Sequence, residues 1–588
     1  MQSSNGDHPP EGTAQSGRGV LVAVVQRAGR WLVPLVALTV LGALATVALP
    51  AVLGRAVDEV VAAVRAGESE WGAARGALVA TAALLGVIVL VEALSELVSG
   101  MGTARALGRL RREIVDHVLA VGPGLTQRIP EGDLVARLLG SSATAAQVVL
   151  TAAGLAAALI PPIGGVVALA LIDPWLAVTF AVGMLTASRA VHAYLRNARV
   201  ATVGYQRAQG DIAARLVDAL GGARSIAAAR TTDQEVERVL RPVPRLRRHG
   251  AEIWQTMARL AFQGEPVVLL TQVAVVAVAG IGLSTGRLTP GEMLAASRYA
   301  VMAAGIGEIL DELAALTRAR AGAERVAAVL DQPATSYGTG QLRPGPGQLE
   351  LRGLTAGPVD APVIRGLDLV VPAGQTVALV GRSGAGKSLT AAVAGRLAEP
   401  LVGQVLLDGT PVDQIDRRTL RAAVTYAFER PHLLGGTVGD AIAFGLDHPS
   451  RPGIEQAASA ARADGFIARL PEGYEAPLAE TPLSGGEFQR LGLARALARD
   501  ARVLILDDAT SSLDTATEAE ITAALTARQP GRTRLIVTHR RATAARADLV
   551  AWLDDGGIRA IGRHDELWDD PDYRAAFGVE PPHLAVQP

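Results

Sequence analysis

The chain has 588 residues and a net charge of −1, so more than one domain is expected and a nucleic-acid partner is not. Hydrophobic residues make up 49% and charged residues 19%, with a mean hydropathy of +0.29, the balance of a membrane domain joined to a soluble one. Cysteine is absent, which excludes disulfides, thiolate zinc sites and cysteine nucleophiles.

Residues 1–30 are polar and Gly/Ser/Pro-bearing, and read as a disordered cytoplasmic tail without a cleavable signal peptide. Six apolar segments follow within 31–329, each long enough to cross about 30 Å of hydrocarbon. They cover 32–54, roughly 76–98, about 148–172, a stretch from Trp175, about 262–284, and a last one after "GRLTPGE" to about 315. The connections 101–147 and 189–259 carry six and thirteen arginines, against three, none and one in the other three, so the arginine-rich side is cytoplasmic. Both long connections show apolar residues at helical spacing, and their tips are expected to touch the soluble domain. Counting from the outer ends at about 1.5 Å per residue puts Glu92, Glu265 and Glu308 at one depth near the inner leaflet, with Arg298 much nearer the outer face. Ionisable groups in spans are cargo candidates, set against the alternative that they snorkel or pair with arginines. Three carboxylates would favour cationic or amphipathic cargo, while 3% aromatics argue against a cavity of stacked rings.

The segment 330–348, "LDQPATSYGTGQLRPGPGQ", reads as a linker, 349–578 as a cytosolic domain and 579–588 as a tail. The soluble domain opens its chemistry at "TVALVG", a buried-strand pattern leading into "GRSGAGKS" and a helix. Strand, glycine-rich turn and helix are the context that a phosphate loop requires. Gly381, Arg382, Ser383, Gly384, Ala385 and Gly386 would close backbone amides round phosphate oxygens of ATP, with Ser388 and Leu389 opening the helix. Lys387 would reach the β/γ-phosphates and Ser388 would ligate Mg²⁺. Lys387 is the only lysine of the chain; every other cationic side chain among 56 is arginine. A slim ammonium enters a tight backbone cradle where a guanidinium fork would not fit.

Three further motifs follow. "ARVLILDD" is a buried strand delivering Asp507 to a Mg²⁺ ion and Asp508 to an attacking water. "LSGGE" puts Ser484, Gly485 and Gly486 at a helix N-terminus, another anion site. "LIVTHR" presents His539 at a strand end. Each alone is weak; together, with Ser484 23 residues before Asp507 and Asp507 32 before His539, they resemble the ATP-binding cassette family over essentially the whole chain. The layout is similar to that of an ABC exporter half-transporter. It implies a membrane all-α domain of six transmembrane helices with long cytoplasmic extensions, followed by a cytosolic α/β P-loop nucleotide-binding domain. The resemblance further implies an ATPase coupled to transport in a multi-pass plasma-membrane protein, with each ATP held between one subunit's phosphate loop and the other's Ser-Gly-Gly. A second half-transporter, the bilayer and a small-molecule or peptide cargo are the implied partners. A siderophore-type importer of the same layout and a nucleotide-sensing membrane regulator are the alternative readings.

The match has departures. Asp508 stands where the family usually has a longer glutamate, and Glu429 and Glu487 where it usually has glutamines, the former on Mg²⁺. Where a tyrosine commonly stacks on adenine, "LRGLTAGPVDAP" offers no aromatic, and Pro358 falls near the place. The phosphate loop, Asp507, Ser484-Gly485-Gly486, Asp514 and His539 are intact. The pattern resembles the weaker half of a heterodimeric exporter, a subunit that binds Mg-ATP and hydrolyses it poorly at its own site; a homodimer is the alternative.

Overall fold

The computed structural model describes residues 17–66, 71–528 and 531–578. They form two compact units: one of residues up to Asp116 with Glu131–Asp331, the other of His117–Pro130 with Gln332 onward.

The first unit is helical. Its long helices are Leu32–Ala66, Trp71–Val121, Pro174–Gly221 and Val243–Ser284, with the third span divided into Val148–Ala158 and Ile160–Ile172. In lipid every backbone N–H and C=O must be satisfied by the protein, and a helix does so within its own segment, which suits long uninterrupted apolar runs such as these. Among the described residues, four helical stretches are long and apolar enough to cross a membrane: Leu32–Arg65, Gly72–Val121, Glu131–Ile172 and Pro266–Ser284. The fourth expected span has a shorter apolar head, Pro174–Thr186, on a helix that continues to Gly221. The last span is broken, with Pro290–Ala303 and Ile306–Leu330 separated at Ala304 and Gly305.

Small residues let these helices meet closely. A Cβ on Gly291 would lie 1.9 Å from the Gly54 carbonyl oxygen. Next to this contact, the Gly291 N–H donates to Asp58 Oδ1 and the Thr289 hydroxyl to Asp58 Oδ2, each at 2.7 Å. On the connection between the third and fourth spans, Asp173 pairs with Arg287 at 2.8 Å. The core between them holds Leu169, Leu176, Phe180, Val275 and Tyr299.

Part of the expected disordered tail is ordered. Gly17–Ala28 is a helix whose apolar run buries Val20 and Val24, packed against helix Ile306–Leu330. Residues 1–16 and 579–588 lie outside the described residues.

Among its described residues the second unit has ten strands: β1 Leu349–Ala356, β2 Ile364–Val371, β3 Thr376–Gly381, β4 Val402–Leu407, β5 Thr410–Pro411, β6 Val424–Ala427, β7 Val503–Asp507, β8 Thr533–Val537, β9 Leu549–Asp554 and β10 Gly557–Gly562. An antiparallel sheet has the order β2-β1-β4-β5, and a six-stranded sheet the order β10-β9-β3-β8-β7-β6. In the latter, β9, β3, β8, β7 and β6 run parallel and only β10 is antiparallel. The parallel strands are near-continuous apolar runs because both faces are covered. Placing β3 between β9 and β8, with β7 next, brings the carboxyl ends of β3, β7 and β8 side by side, the edge where such sheets bind ligands.

The linker is laid onto this unit. Gly340 bridges to Ile415, Tyr337 and Leu342 pack on the core, and Gly347 and Gln348 donate to Asp408 Oδ1. The tip of the first cytoplasmic connection is tied to the linker's start: His117 Nε2 lies 2.9 Å from the Gln332 carbonyl oxygen, and the Thr335 hydroxyl donates to that of Val121 at 3.2 Å. The tip of the second connection, helices Ala223–Ala229 and Thr232–Leu240, packs on helix Pro174–Gly221 within the first unit.

Candidate nucleotide site

Strand β3 ends at Gly381, and helix Lys387–Ala394 begins after Gly386. Between them Gly384 and Gly386 take φ values of +84° and +102°, conformations open to glycine at little cost. A Cβ at Gly381 would sit 2.2 Å from the Leu553 carbonyl oxygen, so the loop needs glycine for space as well as for φ. Lys387 Nζ donates to the carbonyls of Gly381 and Arg382, both at 2.9 Å. Burial pushes its pKa down, and the charges of Asp508 and Asp507 pull it back up. A partly desolvated ammonium beside a glycine-rich turn that opens a helix fits a polyphosphate in charge and donor set.

Beside the loop, Ser388 Oγ donates to Asp507 Oδ1 at 2.8 Å and Tyr426 OH to Asp507 Oδ2 at 2.9 Å. Burial pushes the Asp507 carboxyl up; the bonds from Ser388 and Tyr426 oppose this, and the charges of Asp508 and Glu429 add to it. A hydroxyl and a carboxylate side by side at a strand end are oxygen donors that suit Mg²⁺. Asp508 adopts φ +47°, its N–H donates to the Val537 carbonyl at 3.2 Å, and its Oδ1 lies 3.1 Å from His539 Nδ1. The carboxylate of Glu429 is half-exposed, 3.9 Å from Arg430 Nε.

Ser484 is the N-cap of helix Gly485–Leu497 and forms a capping box with Glu487. One carboxylate oxygen, Glu487 Oε2, accepts from the Ser484 N–H at 2.9 Å and the Ser484 hydroxyl at 2.8 Å. These bonds hold the Glu487 carboxyl below the usual range. Gly486 lies against Ser512 and Leu513, and Asp514 caps helix Thr515–Arg528 by accepting from the Thr517 N–H at 3.0 Å.

Two site residues went unnoticed in the sequence. Tyr426 lies in β6, one residue before the strand's end. Gln489, in the helix that follows the Ser-Gly-Gly turn, is buried. Its amide nitrogen donates to the Glu429 carbonyl at 2.7 Å and to Ser511 Oγ at 2.9 Å, and its oxygen accepts from the Ser512 N–H at 2.9 Å. A buried glutamine five residues past a helix N-cap is a signal that only burial makes legible.

Next to the phosphate loop lies a cavity of about 540 Å³ lined by Pro362, Val363, Arg365, Arg382 and Asp555 among others, with no aromatic side chain. Pro358 is exposed and outside that lining, so Pro362 and Val363 form the aliphatic wall there.

The family "ABC transporter transmembrane region" matches residues 32–303, and "ABC transporter" matches 364–511. The ABC transporter ATP-binding protein RamA of Streptomyces coelicolor is 44% identical over 553 residues, 94% of this chain and 86% of that one. The chain belongs to the ABC transporter family. An ATP-dependent lipid A-core flippase of Chromobacterium violaceum is 38% identical over 300 residues, about half of each chain (50% and 51%). The solved structure of a bacterial Atm1-family ABC exporter with ATP bound matches with a TM-score of 0.75 at 25% identity, covering 93% of this chain and 98% of that one. The transporter is therefore an ATP-binding, multi-pass membrane protein of the exporter type, an ATPase coupled to transport that works as a dimer of half-transporters with its nucleotide domains in the cytoplasm.

Of the transporter's cargo candidates, Glu92 is exposed on helix Trp71–Val121. The side chains of Glu265 and Glu308 lie outside the described residues. Arg298 lines a cavity of about 310 Å³ with Gln272, Ser297 and the apolar Leu269, Val273 and Val276. Glu312, which counting by depth passed over, lies against the third span: a Cβ on Gly154 would be 2.5 Å from its Oε1.

Proposed function

We propose that this chain is the slower half of a heterodimeric exporter, holding ATP at its own phosphate loop while a partner subunit carries most of the hydrolysis. The observation that carries this reading is the crowding of carboxylates. The charges of Asp508 and Glu429 both raise the Asp507 carboxyl, and the Lys387 ammonium feels the charges of Asp508 and Asp507. Glutamate at 429 adds a negative charge where a neutral amide is usual, and aspartate at 508 is one methylene short of the reach a glutamate has. A misplacement of about 1 Å can cost on the order of 10²-fold in rate.

In this reading Lys387 and the loop amides would hold the triphosphate, and Ser388 and Asp507 would hold Mg²⁺, which when bound would supply positive charge beside the phosphate oxygens. Asp508 accepts a proton from the attacking water, and His539 orients Asp508 through the 3.1 Å contact. Arg382, Ser383, Ala385 and Leu389 contribute backbone around the phosphates. Ser484, Gly485 and Gly486, with Glu487 and Asp514, form the face presented to the partner's nucleotide. Residues 31–329 carry the cargo path for a peptide, lipid-like compound or secondary metabolite, and 349–578 the ATPase.

The test is ATP-dependent flux into inverted vesicles containing this chain alone or with a second half-transporter bearing glutamate at the catalytic position, run against a metabolite extract. Flux that requires the pair supports the reading. Full flux and hydrolysis by this chain alone would make it a homodimer, and binding without flux in the pair would make it a regulator.

A further inference from the structure

Arg540, the residue after His539, has a set of bonds that neither phosphate binding nor the water-activating pair accounts for. Its Nη1 pairs with Glu518 Oε2, while Nη2 donates to the carbonyls of Ser511 at 2.7 Å and Leu513 at 2.8 Å. Glu518 lies in helix Thr515–Arg528 and is buried, 2% exposed. Its Oε1 accepts from the hydroxyls of Thr543 at 2.5 Å and Thr510 at 3.1 Å. A buried carboxylate is tolerated only when paired and hydrogen-bonded, and here every bond comes from the two segments that flank the hydrolytic residues. From the opposite side, Gln489 holds Ser511 Oγ and the Ser512 N–H.

We propose that Arg540 is a positioning residue, whose guanidinium fork locks the segment Ser511–Leu513 to the strand end that carries His539. With Gln489 completing the grip from the Ser-Gly-Gly helix, the segment becomes a strut. It joins this subunit's own Asp508–His539 pair to the helix it presents to a partner. A planar fork can span a carboxylate on one nitrogen and two carbonyls on the other, which a lysine cannot do. Ordering 511–513 sets the direction in which Asp508 leaves β7, because Ser511 N–H also donates to the Asp508 carbonyl, at 3.0 Å. The inference rests on Asp508 and His539 serving hydrolysis.

The fork separates two roles experimentally. Arg540→Lys keeps a cation for Glu518 and gives up the hold on both carbonyls; Arg540→Met gives up both. In the full-length transporter with its partner, Arg540→Lys is expected to keep its melting temperature and to bind Mg-ATP within about twofold of the parent. Its turnover should fall by about tenfold or more, the scale of a small misplacement of reacting groups. Amide hydrogen exchange over 508–514 should accelerate by a similar factor in Arg540→Lys. Exchange decides the point even where the parent's own turnover is too slow to follow, so failure of the hydrolysis reading stays distinct from failure of this one. Parental exchange across 508–514 in Arg540→Lys, or a fall in melting temperature equal to that of Arg540→Met with no separate loss of turnover, would overturn the proposal.

Discussion

Asp508 Oδ1 stands 3.1 Å from His539 Nδ1, with the aspartate backbone in the left-handed region at φ +47°. The short side chain thus keeps contact with the histidine, and what it gives up is reach toward a water on the far side. Asp508→Glu restores that reach. Single-turnover hydrolysis at this site should rise by about 10- to 100-fold, on the scale of a misplacement of about 1 Å. Unchanged turnover would mean that the aspartate already places the water correctly.

Lys387 is held by two loop carbonyls and is desolvated. Lys387→Met should lower ATP affinity by about 10- to 100-fold, the worth of hydrogen bonds to a charged group. Lys387→Arg should recover little of it, since the fork does not fit the cradle. Binding of a fluorescent ATP analogue measures both.

Tyr426 and Ser388 occupy the two oxygens of Asp507. Tyr426→Phe frees one and lets the carboxylate turn. Mn²⁺ affinity in the presence of ATP should drop by about tenfold, as for other residues that orient metal ligands. Electron paramagnetic resonance of bound Mn²⁺ reads this without reference to activity.

The Asp507 carboxyl is pushed up by burial first, and further by the charges of Asp508 and Glu429. It therefore keeps its proton to a higher pH than an ordinary aspartate, and metal binding competes with that proton. On acidification, Mg²⁺-dependent ATP binding should fail at a higher pH than an unshifted aspartate would allow at the same Mg²⁺ concentration. Glu429→Gln removes one of the raising charges and should move that limit downward. A titration in which the limit stays put in the variant would count against Glu429 as a contributor.

Glu487 occupies the Ser484 hydroxyl with a full negative charge. Glu487→Gln keeps the box with a neutral amide, so a partner's nucleotide should bind at Ser484 with about 3- to 10-fold higher affinity in the assembled dimer, a modest electrostatic gain near a surface. The bonds to the carboxylate hold its folded pKa below 4.5, so the cap contributes fully above that pH and weakens as pH falls through the folded value. A partner site equally tight in both forms would show that the carboxylate swings away on binding.

The phosphate loop was legible because its glycines, lysine and serine are contiguous and act through local backbone geometry. The strands around it were legible as uninterrupted apolar runs. Residues 17–28 look like tail in sequence because their apolar run is short and flanked by polar residues; what makes it helical is the face of Ile306–Leu330 that buries Val20 and Val24. Length and apolarity lead one to expect six spans, and among the described residues four helical stretches meet both measures. The break at Ala304–Gly305 leaves no trace in the sequence, since neither residue departs from an apolar pattern.

By itself, the sequence determined the class of protein, the phosphate-binding loop and the residue types at the hydrolytic positions, because each depends on local spacing or on composition over a window. Only the tertiary structure decided which oxygens of Asp507 are taken, that Gln489 is buried against Glu429 and Ser511, and that Arg540 bridges Glu518 to two carbonyls. Those bonds join residues that parallel strands and crossover helices bring together from distant positions. No periodicity encodes such a meeting; it exists only once the sheet has set its strand order.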